Sequence, residues 1–174
     1  MATSDRWRVR PDDHLDLTAI DTRATRGAPG DKDETNEVTD GLTERLSVLQ
    51  ERLWAEGTRS LLLVLQALDA GGKDGTVEHV FGGVNPAGVR VAAFKVPTEE
   101  ERDHDFLWRV HRRTPRRGEI GVFNRSHYED VLVARVEGLV PEAVWRPRYD
   151  HIWAWEHLLA SEGTRIVKVY LHIS

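Results

Sequence analysis

Residues 61–76, LLLVLQALDAGGKDGT, restrict the possible folds of this chain more than any other segment. The run 61–66 has strand length and, up to Gln66, is apolar without alternation. That pattern suits a strand covered on both faces in a parallel sheet. A glycine-rich turn follows, and then a segment able to start a helix. Strand, turn and helix in this order make an anion cradle. Backbone N–H groups of the turn point at the anion, the helix begins with its positive dipole end, and Lys73 adds a mobile full charge. The usual phosphate loop reads G-x-x-x-x-G-K-[ST]. Here Ala67 stands at the first glycine and Asp74 at the hydroxyl.

The rest of the chain fits that unit into a repeating order of strands and helices. Thr39 and Asp40 offer N-cap oxygens, and Leu42, Leu46, Leu49 and Leu53 follow at helical spacing, which predicts a core-packing helix that Gly57 ends. A short helix is expected over 75–84, a turn at 85–88 and a second strand over 89–94. Thr98 and Glu101 form a capping-box pattern. The helix it opens is expected to carry Phe106, Leu107 and Val110 inward and to stop before Pro115. Further strands are read at 119–123 and 166–173, with a Trp- and Leu-rich helix over 149–161 between them. Alternation of this kind predicts an α/β fold with a mainly parallel sheet and flanking helices. Residues 1–40 are polar and poorly periodic and read as an N-terminal arm, leaving 41–174 as the folded domain.

Composition narrows the function classes. The 174 residues suit one domain with a real core. With no cysteine, the chain has no disulfide, no thiolate metal site and no cysteine nucleophile, which agrees with a cytoplasmic setting. No apolar run approaches the ~20 residues of a membrane span. A net charge of −5 argues against a nucleic-acid coat but leaves room for a local basic site.

Several residues are candidates for chemistry. Lys73 is read as a phosphate-contacting lysine. Asp69 lies in the loop, where an acid facing phosphate needs a bridging cation; Mg²⁺ takes carboxylate and phosphate oxygens together. Asp74 is either a supporting group or a helix-start acid, and Thr76 either a phosphate donor or a helix-start residue. Past the third strand, Asn124 stands where nucleotide-handling folds often place an acid, and Arg125 can grip phosphate oxygens with two parallel hydrogen bonds. Glu129 and Asp130 read more readily as solvated helix residues than as a replacement carboxylate. Arg109, Arg112, Arg113, Arg116 and Arg117 cluster in sequence and suit either polyanion tracking or an ordinary solvated face. The histidines show no paired metal-ligand spacing, and the six tryptophans read mostly as core or interface.

Taken together these segments resemble the family-2 polyphosphate kinases. The resemblance covers Asp69-Ala70-Gly71-Gly72-Lys73-Asp74-Gly75-Thr76, Gly83-Val84-Asn85-Pro86, Phe94 to Glu101, Asp103 to Arg109, and Phe123 to Asp130, so it runs along nearly the whole chain. It implies a P-loop fold like that of thymidylate kinase. It also implies Mg²⁺-dependent phosphoryl transfer between inorganic polyphosphate and a nucleotide, AMP to ADP or ADP to ATP. Asp69, Lys73 and Arg125 would be catalytic, with Asp69 also holding the metal. Ala70, Gly71, Gly72, Lys73, Asp74, Gly75, Thr76, Lys95, Asn124 and Arg125 would contact phosphate or nucleotide. Asn124 resembles the branch that uses both nucleoside mono- and diphosphates. A homo-oligomer is implied as well. Such kinases continue into a helical lid and C-terminal helices beyond the last strand read here. The expectation is therefore a chain truncated before its lid, weakly active or inactive by itself and poorly stable. An ATP-dependent nucleotide kinase and a non-catalytic phosphate-binding domain are the alternative readings.

Overall fold

Among the described residues four strands make one wholly parallel sheet: β1 (Ser60–Ala67), β2 (Val89–Ala93), β3 (Ile120–Asn124) and β4 (Thr164–Leu171), in the order β2-β3-β1-β4. The structure, a computed structural model, describes residues 7–25, 27–68 and 71–173. Seven helices flank the sheet among these residues: α1 (Lys32–Glu56), α2 (Lys73–Phe81), α3 (Glu99–Arg102), α4 (Trp108–His111), α5 (Glu129–Val136), α6 (Glu142–Trp145) and α7 (Arg148–Ser161). The α/β class expected from the strand–helix alternation is therefore present. None of the described helices is long and apolar enough to cross a membrane.

The apolar, non-alternating pattern of the first strand has its expected cause. β1 lies inside the sheet between β3 and β4. Leu62, Val64 and Leu65 are all buried although they lie on both faces of the strand. One core cluster joins Leu62, Val64, Phe94 and Phe123 to Val110 of α4 and to Trp155 and Leu159 of α7. Phe94 and Phe123 meet edge to face at 4.9 Å. Burying each large apolar side chain contributes roughly 1.5–3 kcal/mol, more than the strand propensities involved. Packing therefore holds the sheet.

Several local expectations need correction. The first long helix begins at Lys32, not after Asp40. Asp31 is its N-cap: its carboxylate accepts from the N–H groups of Asp33 and Glu34, while Glu34 reaches back to the Asp31 N–H in a full capping box. Residue 40 thus lies inside α1, and the Thr39 hydroxyl donates to the Thr35 carbonyl one turn back. Of the four leucines expected inside, Leu42 and Leu49 are more than half exposed, whereas Leu46 and Leu53 are half-buried. The side turned to the body carries Thr39, Thr43, Leu46 and Gln50. A partly polar contact face does not follow the hydrophobic period.

The helix expected from Thr98 towards Pro115 is two short helices. The Thr98 capping box is present. The chain then turns at Asp105, whose carboxylate accepts from the Leu107 N–H, a local bond that competes with helix continuation. The reading passes over α5 and α6. Among the tryptophans only Trp155 is buried; Trp7, Trp54 and Trp153 are largely exposed.

The two capping schemes make a direct test. Replacing Asp31 with Ala should lower stability to urea by about 1 kcal/mol, the usual cost of losing such a cap. Replacing Asp40 with Ala should cost nothing or stabilise slightly, since Ala is the better residue inside an exposed helix.

Candidate phosphate-binding site

The glycine-rich turn joins β1 to α2 at the carboxyl end of the sheet, the end where open α/β sheets take ligands. Asp69 and Ala70 lie outside the described residues. Gly72 is the N-cap of α2 with φ 68°, a left-handed conformation that costs glycine nothing. Gly71 is needed for a different reason. A Cβ there would lie 2.7 Å from the Cβ of Ala67 and 2.8 Å from the Leu68 carbonyl oxygen. The methyl of Ala67 adds to the crowding from the Leu68 carbonyl, and together they leave room only for glycine at 71.

Lys73 is buried, and its Nζ donates to the carbonyls of Ala67 at 3.1 Å and Leu68 at 2.9 Å. The side chain therefore clamps the strand exit to the helix start, and it is a second donor to the Leu68 carbonyl, which also accepts from the Gly71 N–H at 3.0 Å. Asp74 is exposed in the first turn of α2, and its Oδ1 accepts from Nδ2 of Asn124, which is buried at the end of β3. Thr76 acts here as a helix residue, its hydroxyl donating to the Gly72 carbonyl at 2.9 Å. Gly75 faces open space, with no atom within 4 Å of where a Cβ would lie.

β3 is hydrogen-bonded beside β1 with Asn124 level with Leu65. The next residue, Arg125, has φ 61°, the only positive φ among the described non-glycine residues. Its N–H donates to the Leu65 carbonyl at 3.2 Å. A non-glycine residue held there marks a place where surrounding contacts fix the backbone. The next side chain, Ser126, is fully buried and accepts from Nε2 of Gln66 at 2.9 Å and from the Tyr128 N–H. The loop after β3 is therefore hydrogen-bonded to the last residues of β1.

Behind them lies a polar cluster that sequence reading misses. Glu156 of α7 accepts from the Tyr128 hydroxyl at 2.9 Å and from Lys168 of β4 at 2.8 Å, and lies 3.3 Å from Nε2 of the fully buried His127. Burial by itself raises the pKa of Glu156, but the bonds from His127, Lys168 and Tyr128, with the charge of Lys168, outweigh it and hold the carboxyl at about 2. The same cluster raises Lys168, where the bonds to Glu156 and Tyr128 overcome the opposing effect of burial. It also raises Tyr128, chiefly through burial. A charged residue in the middle of an apolar strand, Lys168, was the available signal.

Other candidates separate. Lys95 is exposed just after β2, and its carbonyl accepts from Arg109 at 2.8 Å. Arg109 is no part of a solvated basic face: it is buried, bonded to Asp130 at 3.1 Å, with Glu101 at 3.8 Å and the Phe94 ring beneath its guanidinium. Asp130 is correspondingly a structural partner rather than a solvated helix acid. Arg113, Arg116 and Arg117 are exposed in the segment that leads into the amino end of β3, the opposite end of the sheet from the turn. No group of three or more His, Asp or Glu suited to a metal occurs among the described residues.

A parallel sheet with a lysine-bearing glycine turn at the end of an interior strand, and an Asn-Arg pair at the end of its neighbour, defines a P-loop domain of the kinase type. The sequence matches the family model described as Polyphosphate kinase 2 (PPK2) over residues 30–174, and the chain belongs to that family. It is 56% identical over 97% of its length to the AMP/ADP-polyphosphate phosphotransferase of Meiothermus ruber. It is 47% identical over 82% of its length to the ADP-polyphosphate phosphotransferase of Rhodopseudomonas palustris. The crystal structure of polyphosphate kinase 2 from Arthrobacter aurescens TC1 superposes over the whole chain with a TM-score of 0.93 at 43% identity. The chain spans 63% and 54% of the two relatives and 62% of the crystallised chain.

The Glu156 cluster gives a pH test. The folded-state pKa of about 2 lies below the ordinary 4.5, so this carboxylate's stabilisation is present above pH 4.5 and is lost as pH falls through about 2. The parent should therefore resist urea better than the Glu156→Gln variant at pH 7. That gap should close between pH 4.5 and about 2. A gap of unchanged size at the acid end of the window would mean that the carboxylate charge is not its source.

Proposed function

We propose that the protein to which this chain belongs transfers a phosphoryl group between inorganic polyphosphate and a nucleoside mono- or diphosphate, with Mg²⁺. The observation that carries the reading is the meeting of the Lys73 turn with Asn124 and Arg125 at the ends of two hydrogen-bonded strands. The names of the relatives at 56% and 47% identity support the substrate pair.

Phosphoryl transfer needs in-line positioning and neutralisation of charge rather than a protein nucleophile. An oxygen of the acceptor nucleotide's phosphate forms a bond to the terminal phosphorus of polyphosphate. The bridging P–O bond breaks, and the polyphosphate shortened by one unit leaves with the electron pair. The acceptor oxygen is already anionic, so no general base is required. In this reading the phosphates meet the N–H groups of Gly72, Lys73, Asp74 and Gly75 at the start of α2, since those of Gly71 and Thr76 donate to the Leu68 and Gly72 carbonyls. Lys73 releases its two carbonyls to meet phosphate oxygens, and the guanidinium of Arg125 binds the transferring group on two parallel bonds. Lys95 lies at the same end of the sheet and contributes positive charge to the nucleotide side.

The donor set fits a hard cation. Asp74 keeps one carboxylate oxygen beyond the one Asn124 engages, and the Asn124 amide has its own oxygen. Asp69 and Asp74, with Asn124, would hold Mg²⁺, which would supply positive charge against that developing on the phosphates. We also read the protein as a cytoplasmic homo-oligomer that neither binds nucleic acid nor enters a membrane.

The test uses the full-length protein with AMP, long-chain polyphosphate and Mg²⁺ in the absence of ATP. ADP and ATP should appear, and the Lys73→Met variant should turn over roughly 10²-fold or more slowly. Product formed only when ATP is supplied would replace this reading with that of an ordinary nucleotide kinase. Binding without turnover would make it a phosphate-binding domain.

A further inference from the structure

Three separate segments converge on one carboxylate beside the Arg125 turn. Glu156 comes from α7, Lys168 from β4, and His127 and Tyr128 from the stretch between β3 and α5. His127 and Tyr128 follow Arg125 by two and three residues. The backbone of Arg125, at φ 61°, is in a region that non-glycine residues avoid and that persists only where its surroundings over-determine it.

Those surroundings can be named. Ahead of the turn, the Arg125 N–H is fixed to the Leu65 carbonyl of β1. Within it, Ser126 ties Gln66 to the Tyr128 backbone. Behind it, the His127 ring is sealed in the core with its centroid 4.8 Å from that of Trp155, and its Nε2 faces Oε1 of Glu156. The same Oε1 accepts the Tyr128 hydroxyl. Oε2 is gripped by Lys168, which also donates to the Tyr128 hydroxyl at 3.2 Å. Packing alone would bury His127, but only the carboxylate fixes the direction of its N–H and of the Tyr128 hydroxyl together.

We infer that Glu156 is a positioning residue for Arg125: anchored by Lys168, its carboxylate holds His127 and Tyr128, and through them aims the guanidinium at the transferring phosphoryl group. This rests on the role given to Arg125 above. A guanidinium grips phosphate through a rigid planar fork, so its usefulness depends on the angle at which the backbone presents it. An ammonium on a flexible stem has no such requirement. Positioning therefore makes a prediction that mere structural support does not: the effect of Glu156 should depend on whether residue 125 is arginine.

The experiment is a double-mutant cycle on turnover by the full-length protein at neutral pH, at a temperature where circular dichroism shows every variant folded. Glu156→Gln keeps an oxygen for His127 and Tyr128 but turns an amide donor towards Lys168, so it loosens the anchor with little change of shape. In the parent it should lower kcat about tenfold. In the Arg125→Lys background it should lower kcat less than about threefold, because the fork it serves is already gone. Lys168→Met removes the same anchor from the other side and stands in the cycle if the glutamine variant does not fold. Equal losses in both backgrounds, or no loss in the parent, would overturn the inference while leaving the role of Arg125 intact. If Arg125→Lys turns over as fast as the parent, the role of Arg125 fails and the inference falls with it.

Discussion

Parallel pairing of β1 with β3 puts Leu65 level with Asn124, the last residue of β3, while β1 runs two residues further beside β4. The features of the site depend on that alignment. It lets the Arg125 N–H continue the ladder onto the Leu65 carbonyl, brings Gln66 against Ser126, and sets the Asn124 amide beside Asp74 on α2. A slip of one residue would turn the side chains of a strand to the other face and separate these pairs. The register is held by core side chains, since Leu62, Val64 and Phe123 are buried against two helices as well as against each other.

Around that alignment, the ends of the strands are tied by charged side chains bonded to backbone or to one another. Lys73 is bonded to two carbonyls of its own loop. Arg109 joins the carbonyl of Lys95 to Asp130, linking the exit of β2 to α5. Glu156 links α7 and β4 to the segment after β3. Buried charges are costly unless hydrogen-bonded or paired. Lys73 is hydrogen-bonded, and Arg109 and Glu156 are each paired with an opposite charge. The β2, β3 and β4 sides of the sheet are thereby connected at the end where phosphate is proposed to bind. The arm before α1 reaches the same end, where His172, just past β4, donates to the carbonyl of Ile20 at 3.1 Å.

The family match covers residues 30–174, and the likeness to the crystallised polyphosphate kinase 2 extends over the whole chain. This chain carries the glycine-rich turn after β1 and the Asn124-Arg125 turn at the end of β3 on one sheet. The chain spans about half to two thirds of the longer relatives it matches.

The sequence by itself determined the class of fold and the place of the glycine-rich turn between the first strand and its helix. Both follow from local rules: a run of apolar residues must be covered on two faces, and glycines ahead of a helix expose N–H groups. The Asn124-Arg125 pair was legible as well, because it stands at the end of the third strand. What the sequence could not determine was whether each charge faces a ligand, solvent or the core. Arg109 and Arg116 look alike in a basic run, yet Arg109 is buried on Asp130 and Arg116 is exposed at the opposite end of the sheet. Asp31 and Asp40 are equally good caps in composition, and only the docked helix shows which one is used. The Glu156 cluster joins residues 28, 29 and 12 positions apart in the chain, and no local pattern announces it. Tertiary structure decided these points because the free energy of a charged side chain depends on the partners that distant segments bring to it.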